Sequence, residues 1–216
     1  MNFVHEYIYK PFPELQVHNI DGTRYYEAPN GLKYPSITSV LGKQPGKQKG
    51  LQEWRKRIGE QQANIISGKA ARRGTVFHHI VEDFLNNKPI TTEHKEKNFL
   101  SWCMFGEAKD IIFQHIDQVI LQEQSMYSDQ YKVAGRCDFI GLWDNEVAVV
   151  DFKTTTTPKK REWIEDYFIQ CAAYASMYEE WTQETIKELV ILMVAEDGHV
   201  DIFQEKTIDY LPKLEE

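Results

Sequence analysis

The stretch Gly135–Thr154, GRCDFIGLWDNEVAVVDFKT, decides how the chain is read. It consists of two apolar runs around a polar break. Asp144 and Asn145 are residue types that tolerate the left-handed backbone of a tight turn. A two-residue loop centred there sets Trp143 against Glu146, and each step outward keeps the sum of the paired numbers constant. Asp138 then falls opposite Asp151. Directly opposed residues of an antiparallel pair hold their Cβ atoms roughly 4.5–5.5 Å apart. Two carboxylates that close repel, and an apolar hairpin screens them poorly. Lys153 lies two residues beyond Asp151, on the same strand face, and offsets only part of the charge. The remainder asks for a cation, and hard ions such as Mg²⁺ or Mn²⁺ take carboxylate oxygens. The plainer alternative makes the acids surface residues with Lys153 as an ion-pair partner. Against it, AVVDF is nearly continuous apolar sequence, the mark of a strand covered on both faces.

Working outward, the period of two extends to Val119–Ser125, Lys132–Leu142 and Glu146–Lys153, with later strands over Lys187–Ala195 and Val200–Gln204. Before the hairpin the period is helical. It predicts helices over Gln52–Ser67, Lys69–Asn86 and Glu93–Ile116, with Gly42–Gly50 as a flexible basic loop. Glu162–Trp181 reads as a long helix with an aromatic side. The N-terminal part, to about Leu41, reads as two or three short strands, with turn signals at Asp21-Gly22 and Asn30-Gly31 and a helix entering near Ser36 or Thr38. The pattern predicts an α/β (α+β) fold, a mixed central sheet with helices packed on it.

A length of 216 residues suits one domain. We read residues 1–117 as a strand and helical region, partly basic, 118–206 as the sheet core that carries the acids, and 207–216 as a tail. Cys103, Cys137 and Cys171 form no CxxC and suggest neither a disulfide framework nor a zinc or iron–sulfur site. No signal-like or membrane-spanning run is seen, so a cytoplasmic protein is expected. The formal net charge is −8, which taken globally argues against a polyanionic partner. The charge is uneven, however. Lys43 to Arg73 holds nine Lys and Arg against Glu53 and Glu60. A basic segment on an acidic body suits a localised polyanion track, and equally a solvated charged helix.

The order G-x-x-D, a dozen residues, then D-x-K resembles the core of the PD-(D/E)XK nuclease superfamily. Upstream, RGTVFHHIVE carries Gly74, Thr75 and His78 as G-T-x-x-H, followed by Glu82, as in the RecB-type branch. Downstream, Gln170 and Tyr174 form that branch's QxxxY. Together with PSITSVL and the basic region, the pattern is similar to the mitochondrial genome maintenance exonuclease group and its phage and bacterial relatives, from about Pro35 to Tyr178. The four cysteines of the iron–sulfur members are missing.

The resemblance implies a restriction-endonuclease-like core and a DNA exonuclease that uses Mg²⁺ or Mn²⁺ and degrades single-stranded DNA from a free end. It implies Asp138, Asp151 and Lys153 as catalytic residues. His78, Asp138, Asp151 and the backbone carbonyl of Phe152 would be the metal ligands, with Glu82 supporting; Glu123, from its place before the hairpin and apart from the resemblance, is expected to support the site with a further carboxylate. Gln170 and Tyr174 would contact the DNA near the scissile phosphate or position Lys153; Lys43, Lys47, Arg72 and Arg73 would face DNA, and replication or recombination proteins are implied as partners. Local alternatives stay open. Gln170 and Tyr174 also fit an aromatic stripe against the sheet, Trp54 fits a base-stacking platform or a helix anchor, and Lys159, Lys160 and Arg161 fit phosphate contacts or a solvated cluster. A structure-selective endonuclease and a non-catalytic single-strand-binding module are the competing functions.

Overall fold

A computed structural model describes residues 2–6 and 11–215. The hairpin forms as its turn residues dictate. Asp144 and Asn145 have φ of 50° and 66°, the backbone of a tight two-residue turn between β6 (Val133–Trp143) and β7 (Glu146–Thr155). The constant-sum register holds from Trp143↔Glu146 to Phe139↔Val150 and stops there, one pair short of Asp138 and Asp151.

Around this hairpin lies a six-stranded sheet. It adds β1 (Val4–His5), β5 (Ile116–Ser128), β8 (Glu188–Ala195) and β9 (Val200–Lys206), in the order β1-β5-β6-β7-β8-β9. The pairs β1–β5 and β7–β8 are parallel and the others antiparallel, so the sheet is mixed. A parallel neighbour needs a crossover, and α6 (Glu165–Thr182) supplies it between β7 and β8.

The sheet is covered on both faces. One core joins α1 (Ile37–Gly42) and α6 to Cys137, Ile140, Val149 and Ile191. The other joins α3 (Glu60–Leu85) and α5 (Phe99–His115) to Phe139, Val150, Phe152 and Leu192. Val149 and Val150 therefore point to opposite cores, which is why this strand reads as continuous apolar sequence. A separate three-stranded sheet holds β2 (Gln16–Ile20), β3 (Thr23–Glu27) and β4 (Lys33–Pro35). Its first turn is the expected Asp21-Gly22, both residues at positive φ. The chain closes with α7 (Leu211–Glu215).

Three helix boundaries differ from the sequence reading. The segment Gly42–Gly50 is not a loop throughout: α2 runs Pro45–Ile58, its proline at the start, where the missing N–H costs nothing. The break falls at Gly59 rather than near Ser67, because Gly59 adopts φ 86°, which side chains resist, while Gly68 is absorbed within α3. The span Glu93–Ile116 divides into α4 (Thr92–Lys97) and α5 at Asn98. Asn98 is extended at φ −163° and caps α5, its side chain accepting from Ser101 N at 3.1 Å.

Gly141 marks the tightest packing in the sheet. A Cβ there would lie 2.1 Å from the Gln118 carbonyl oxygen and 2.4 Å from the Phe139 ring. Gly141→Ala should therefore destabilise the fold by about 1–3 kcal/mol, a fall of roughly 2–4 °C in Tm per kcal/mol for this chain length. Gly106→Ala, in α5 with open space around it, should instead raise Tm slightly. Thermal unfolding of the two variants checks the contrast, and a Gly141→Ala protein as stable as the parent would refute the close approach.

Candidate metal centre

Three neighbouring strands bring the acids together. In the β5–β6 ladder, the pairs Gln122↔Phe139 and Gln124↔Cys137 bracket Glu123 and Asp138, so these two face each other. Glu123 sits at φ 48°, a conformation that costs a non-glycine residue of order 1 kcal/mol or more. Arg136 holds it there: its Nε donates to the Glu123 carbonyl at 3.0 Å and pairs with Oε2 at 2.8 Å. A strained residue clamped at a carboxylate cluster is a mark of a functional position.

Asp138 stands where the two-residue period of β6 breaks. Cys137 and Ile140 both lie in the core under α6, although they are three residues apart. The irregularity ends the β6–β7 ladder and leaves the Asp138 carboxylate to reach across. Its Oδ2 accepts from Phe152 N at 3.0 Å. The opposed carboxylates expected from the register are thus replaced by a side-chain-to-backbone bond. Phe152 itself packs its ring in the α3-side core.

From α3, His78 enters the same cleft. Its Nδ1 lies 3.5 Å from Asp138 Oδ1 and 3.6 Å from Glu123 Oε1. One ligand atom from each of His78, Glu123 and Asp138 falls within 4.8 Å of the others. An imidazole nitrogen and two carboxylate oxygens are a donor set that Mn²⁺ and Mg²⁺ accept, the imidazole favouring transition metals. They line a cavity of about 320 Å³ with Gly74, Thr75 and Arg24. The structure thus gathers Glu123, expected as a supporting carboxylate of the site, beside His78 and Asp138. Asp151 is not among the three.

Asp151 lies just behind, nearly inaccessible at 1% exposure. Its Oδ2 is ion-paired with Lys153. Its Oδ1 accepts from Gln170 Nε2 at 3.1 Å, and the same amide donates to Tyr174 OH at 3.3 Å. The QxxxY pair is therefore buried inside α6, where it holds Asp151. Gly135 makes room for the tyrosine ring, since a Cβ there would meet Tyr174 Cε1 at 2.6 Å. Lys153 Nζ lies 5.1 Å from the centre of the Tyr167 ring, a contact the sequence reading did not foresee.

The charges explain one another. Burial pushes the Asp151 carboxyl up to about 6, with Asp138 adding to the rise and Lys153 opposing it. Burial also works against a charged Asp138, yet the His78 and Lys153 charges and the Phe152 N–H hold it below the usual carboxylate range. Burial would lower His78, but the Asp138 and Glu123 carboxylates overcome it and raise the imidazole to about 10. Lys153 is likewise raised, Asp151 and Asp138 outweighing its desolvation. At neutral pH the imidazolium supplies the positive charge that the acids require.

This gives a sign for cation binding. A metal that takes His78 must displace its proton, so acid competes with metal below a pKa of about 10. Apparent Mn²⁺ affinity should rise about tenfold per pH unit between pH 6.5 and 8.5, with close to one proton released. Calorimetry in buffers of different ionisation enthalpy measures both quantities. A flat pH profile would remove His78 from the ligand set.

No protein-family model matches the sequence, and no curated protein matches it. Two solved structures are similar in shape. One is a provisionally assigned exonuclease from Eubacterium rectale, with TM-score 0.44 and 10% identity over 66% of this chain and 64% of that one. The other is the protein SSO0001, with TM-score 0.37 and 14% identity over 76% of this chain and 66% of that one. The chain spans just under two thirds of the length of each. Likenesses of this size carry no functional argument.

The remaining expected site residues lie further out. Glu82 faces His79, with Oε2 3.5 Å from its Nδ1, and not His78. Lys43 donates to Thr23 Oγ1 at 2.6 Å and Lys47 is paired with Asp166. Arg73 is buried and turned inward: it pairs with Glu196 and donates through Nε to Thr154 Oγ1 at 3.1 Å. Arg72 is exposed, one nitrogen 3.3 Å from the Lys97 carbonyl. Arg24 and Arg136, which line the cavity, were missed. Arg136, two residues before Asp138, carried a usable signal: a cation at strand spacing from an acid. Trp54 is half-buried on α2, a helix with no fully buried residue. Among the described residues no helix is long and apolar enough to cross a membrane.

Proposed function

We propose that this protein is a divalent-metal-dependent deoxyribonuclease of the RecB-type PD-(D/E)XK branch, acting on single-stranded DNA from a free end. The observation that carries the reading is the convergence of His78, Glu123 and Asp138 in one cleft, with Asp151 and Lys153 on the adjoining strand. Order and spacing follow the G-T-x-x-H, G-x-x-D, D-x-K and QxxxY pattern.

His78, Glu123 and Asp138 would hold the cation. When bound, a divalent ion polarises a phosphodiester and acidifies a water molecule. The chain's own residues do the rest. The Asp138 carboxylate fixes the geometry of the cleft through Phe152 N–H. Asp151, held by Gln170, aims the Lys153 ammonium. That ammonium faces the charge that develops on the phosphate oxygens as the fifth bond forms, and stabilises it. The strand approaches along the α2–α3 arm, where Lys49, Lys56 and Arg57 are exposed beside the accessible side chains of Leu51 and Ile65. Exposed cations of this kind can follow the backbone of a single strand.

The test is a gel assay with end-labelled linear and circular single-stranded DNA in Mg²⁺, Mn²⁺ and EDTA. Metal-dependent loss of the linear strand alone supports the reading. Cutting of the circle assigns an endonuclease. Retention of uncut strand in EDTA and in metal alike assigns a binding module.

A further inference from the structure

On the flank of α3 opposite His78 there is a second cavity, of about 400 Å³. Lys69, Arg72, Arg73 and Lys97 line it, with Glu196 as the sole carboxylate in its wall. In a chain of net charge −8, four cations around one concavity are a marked local excess. Some of that charge is already committed. Arg73 is neutralised by Glu196, and Lys97 lies 2.9 Å from the exposed Glu93. Lys69 has no hydrogen bond or ion pair among the described residues, and Arg72 touches only the Lys97 carbonyl. A folded protein gains nothing from holding uncompensated like charges together, so the arrangement fits an anion better than the fold.

The shape narrows the anion. Arg72 presents a planar fork, which matches two oxygens of a phosphate, and Lys69 a compact point charge. The helix α5 begins at this cavity, where Asn98 and Leu100 form part of the wall, so its N-terminal dipole adds to the positive field. We propose that this cavity is a phosphate subsite for the nucleic-acid strand. The inference rests on the nuclease reading and extends it beyond the cleavage cleft.

Position supports the link. Lys69 and His78 lie nine residues apart on one unbroken helix. That separation is about two and a half turns, which places them on opposite flanks and about 14 Å apart along the axis. A strand held at both points crosses α3 at an angle. The floor of the subsite is also tied to the catalytic strand. Arg73 donates to the side chain and the carbonyl of Thr154, the residue after Lys153, at 3.1 and 3.3 Å. Anchoring one phosphate here fixes the register of the next ones over the metal centre.

The experiment measures anisotropy of a labelled twelve-nucleotide single strand in EDTA, where no cleavage occurs. The parent protein is compared with Lys69→Gln/Arg72→Gln and with a charge-matched control, Lys187→Gln/Lys206→Gln, at the end of β8 opposite to Glu196. The subsite pair should weaken binding at least tenfold and flatten the salt dependence by about 0.7 per lost contact. The control should change binding less than twofold. Strands with a 5′-phosphate, a 5′-hydroxyl or a 3′-phosphate separate the sources. If the pair erases a preference for one end, the subsite holds a terminal phosphate. If it weakens all three alike, the subsite holds a backbone phosphate. Equal loss in subsite and control variants overturns the proposal, as does a parent protein that binds none of the strands. Normal strand binding with no cleavage in Mn²⁺ would sink the nuclease reading and leave the subsite standing.

Discussion

Asp138→Asn is expected to abolish cleavage while leaving the fold intact. Asparagine keeps an oxygen that can accept from Phe152 N, so the bond that anchors β7 is preserved. The charge is lost, and with it one of the two carboxylates facing His78. A removed centre of this kind costs at least about a thousandfold in rate, roughly 4 kcal/mol of transition-state stabilisation. A second readout does not depend on activity. Asp138 is the largest cause holding the imidazole up at about 10. Without it, burial should draw His78 down towards its ordinary value, which NMR titration of the ring protons would follow. Mn²⁺ binding should fall in parallel, and strand binding in EDTA should persist. A variant that keeps both its activity and its high His78 would remove Asp138 from the centre.

How much of this was legible in the sequence depends on the range of the interactions. The β6–β7 register was, because a two-residue turn is a local device and the pairs follow from it. The exact meeting of Asp138 and Asp151 was not, because the break in alternation between Cys137 and Ile140 is imposed by packing under α6. Helix type was legible but helix ends were not. Gly59 and Gly68 look alike in sequence, and only the fold decides which takes φ 86°.

The site divides in the same way. His78 and Asp138 were expected from spacing and resemblance, and the structure places them 3.5 Å apart. Glu123 was underrated because its role depends on a left-handed backbone at one position of β5 and on Arg136, which secures it. Gln170 and Tyr174 were read as contacting the substrate or as positioning Lys153; both are buried, and Gln170 holds Asp151, the partner of Lys153. Arg73 was read as a phosphate contact because charge is visible in a sequence and burial is not. Its side chain, 8% exposed, is occupied by Glu196 and Thr154.

Lys153→Met should separate chemistry from metal binding. Methionine keeps most of the apolar stem of lysine but lacks the Nζ that lies over the Tyr167 ring, so that contact is lost together with the charge. His78, Glu123 and Asp138 are untouched, and Mn²⁺ affinity should stay within a few fold. Cleavage should fall about 10²–10³-fold, the usual loss when one preorganised charge facing a transition state is removed. Stability should fall as well, with a definite pH dependence. Lys153 opposes the rise of Asp151, which already stands at about 6. Removing the ammonium lets that carboxyl climb further. A folded-state pKa above the unfolded one contributes stability at low pH and loses it as pH rises through the folded value. The variant should therefore be close to the parent near pH 5 and increasingly weaker towards pH 8, by about 3 kcal/mol if the buried charge is left wholly uncompensated. Adding Asp151→Asn removes that charge and should restore most of the stability at pH 8 without restoring cleavage. If the double variant regains activity, Lys153 serves only to balance Asp151. If it regains stability alone, Lys153 or Asp151 acts in the reaction beyond balancing the other's charge.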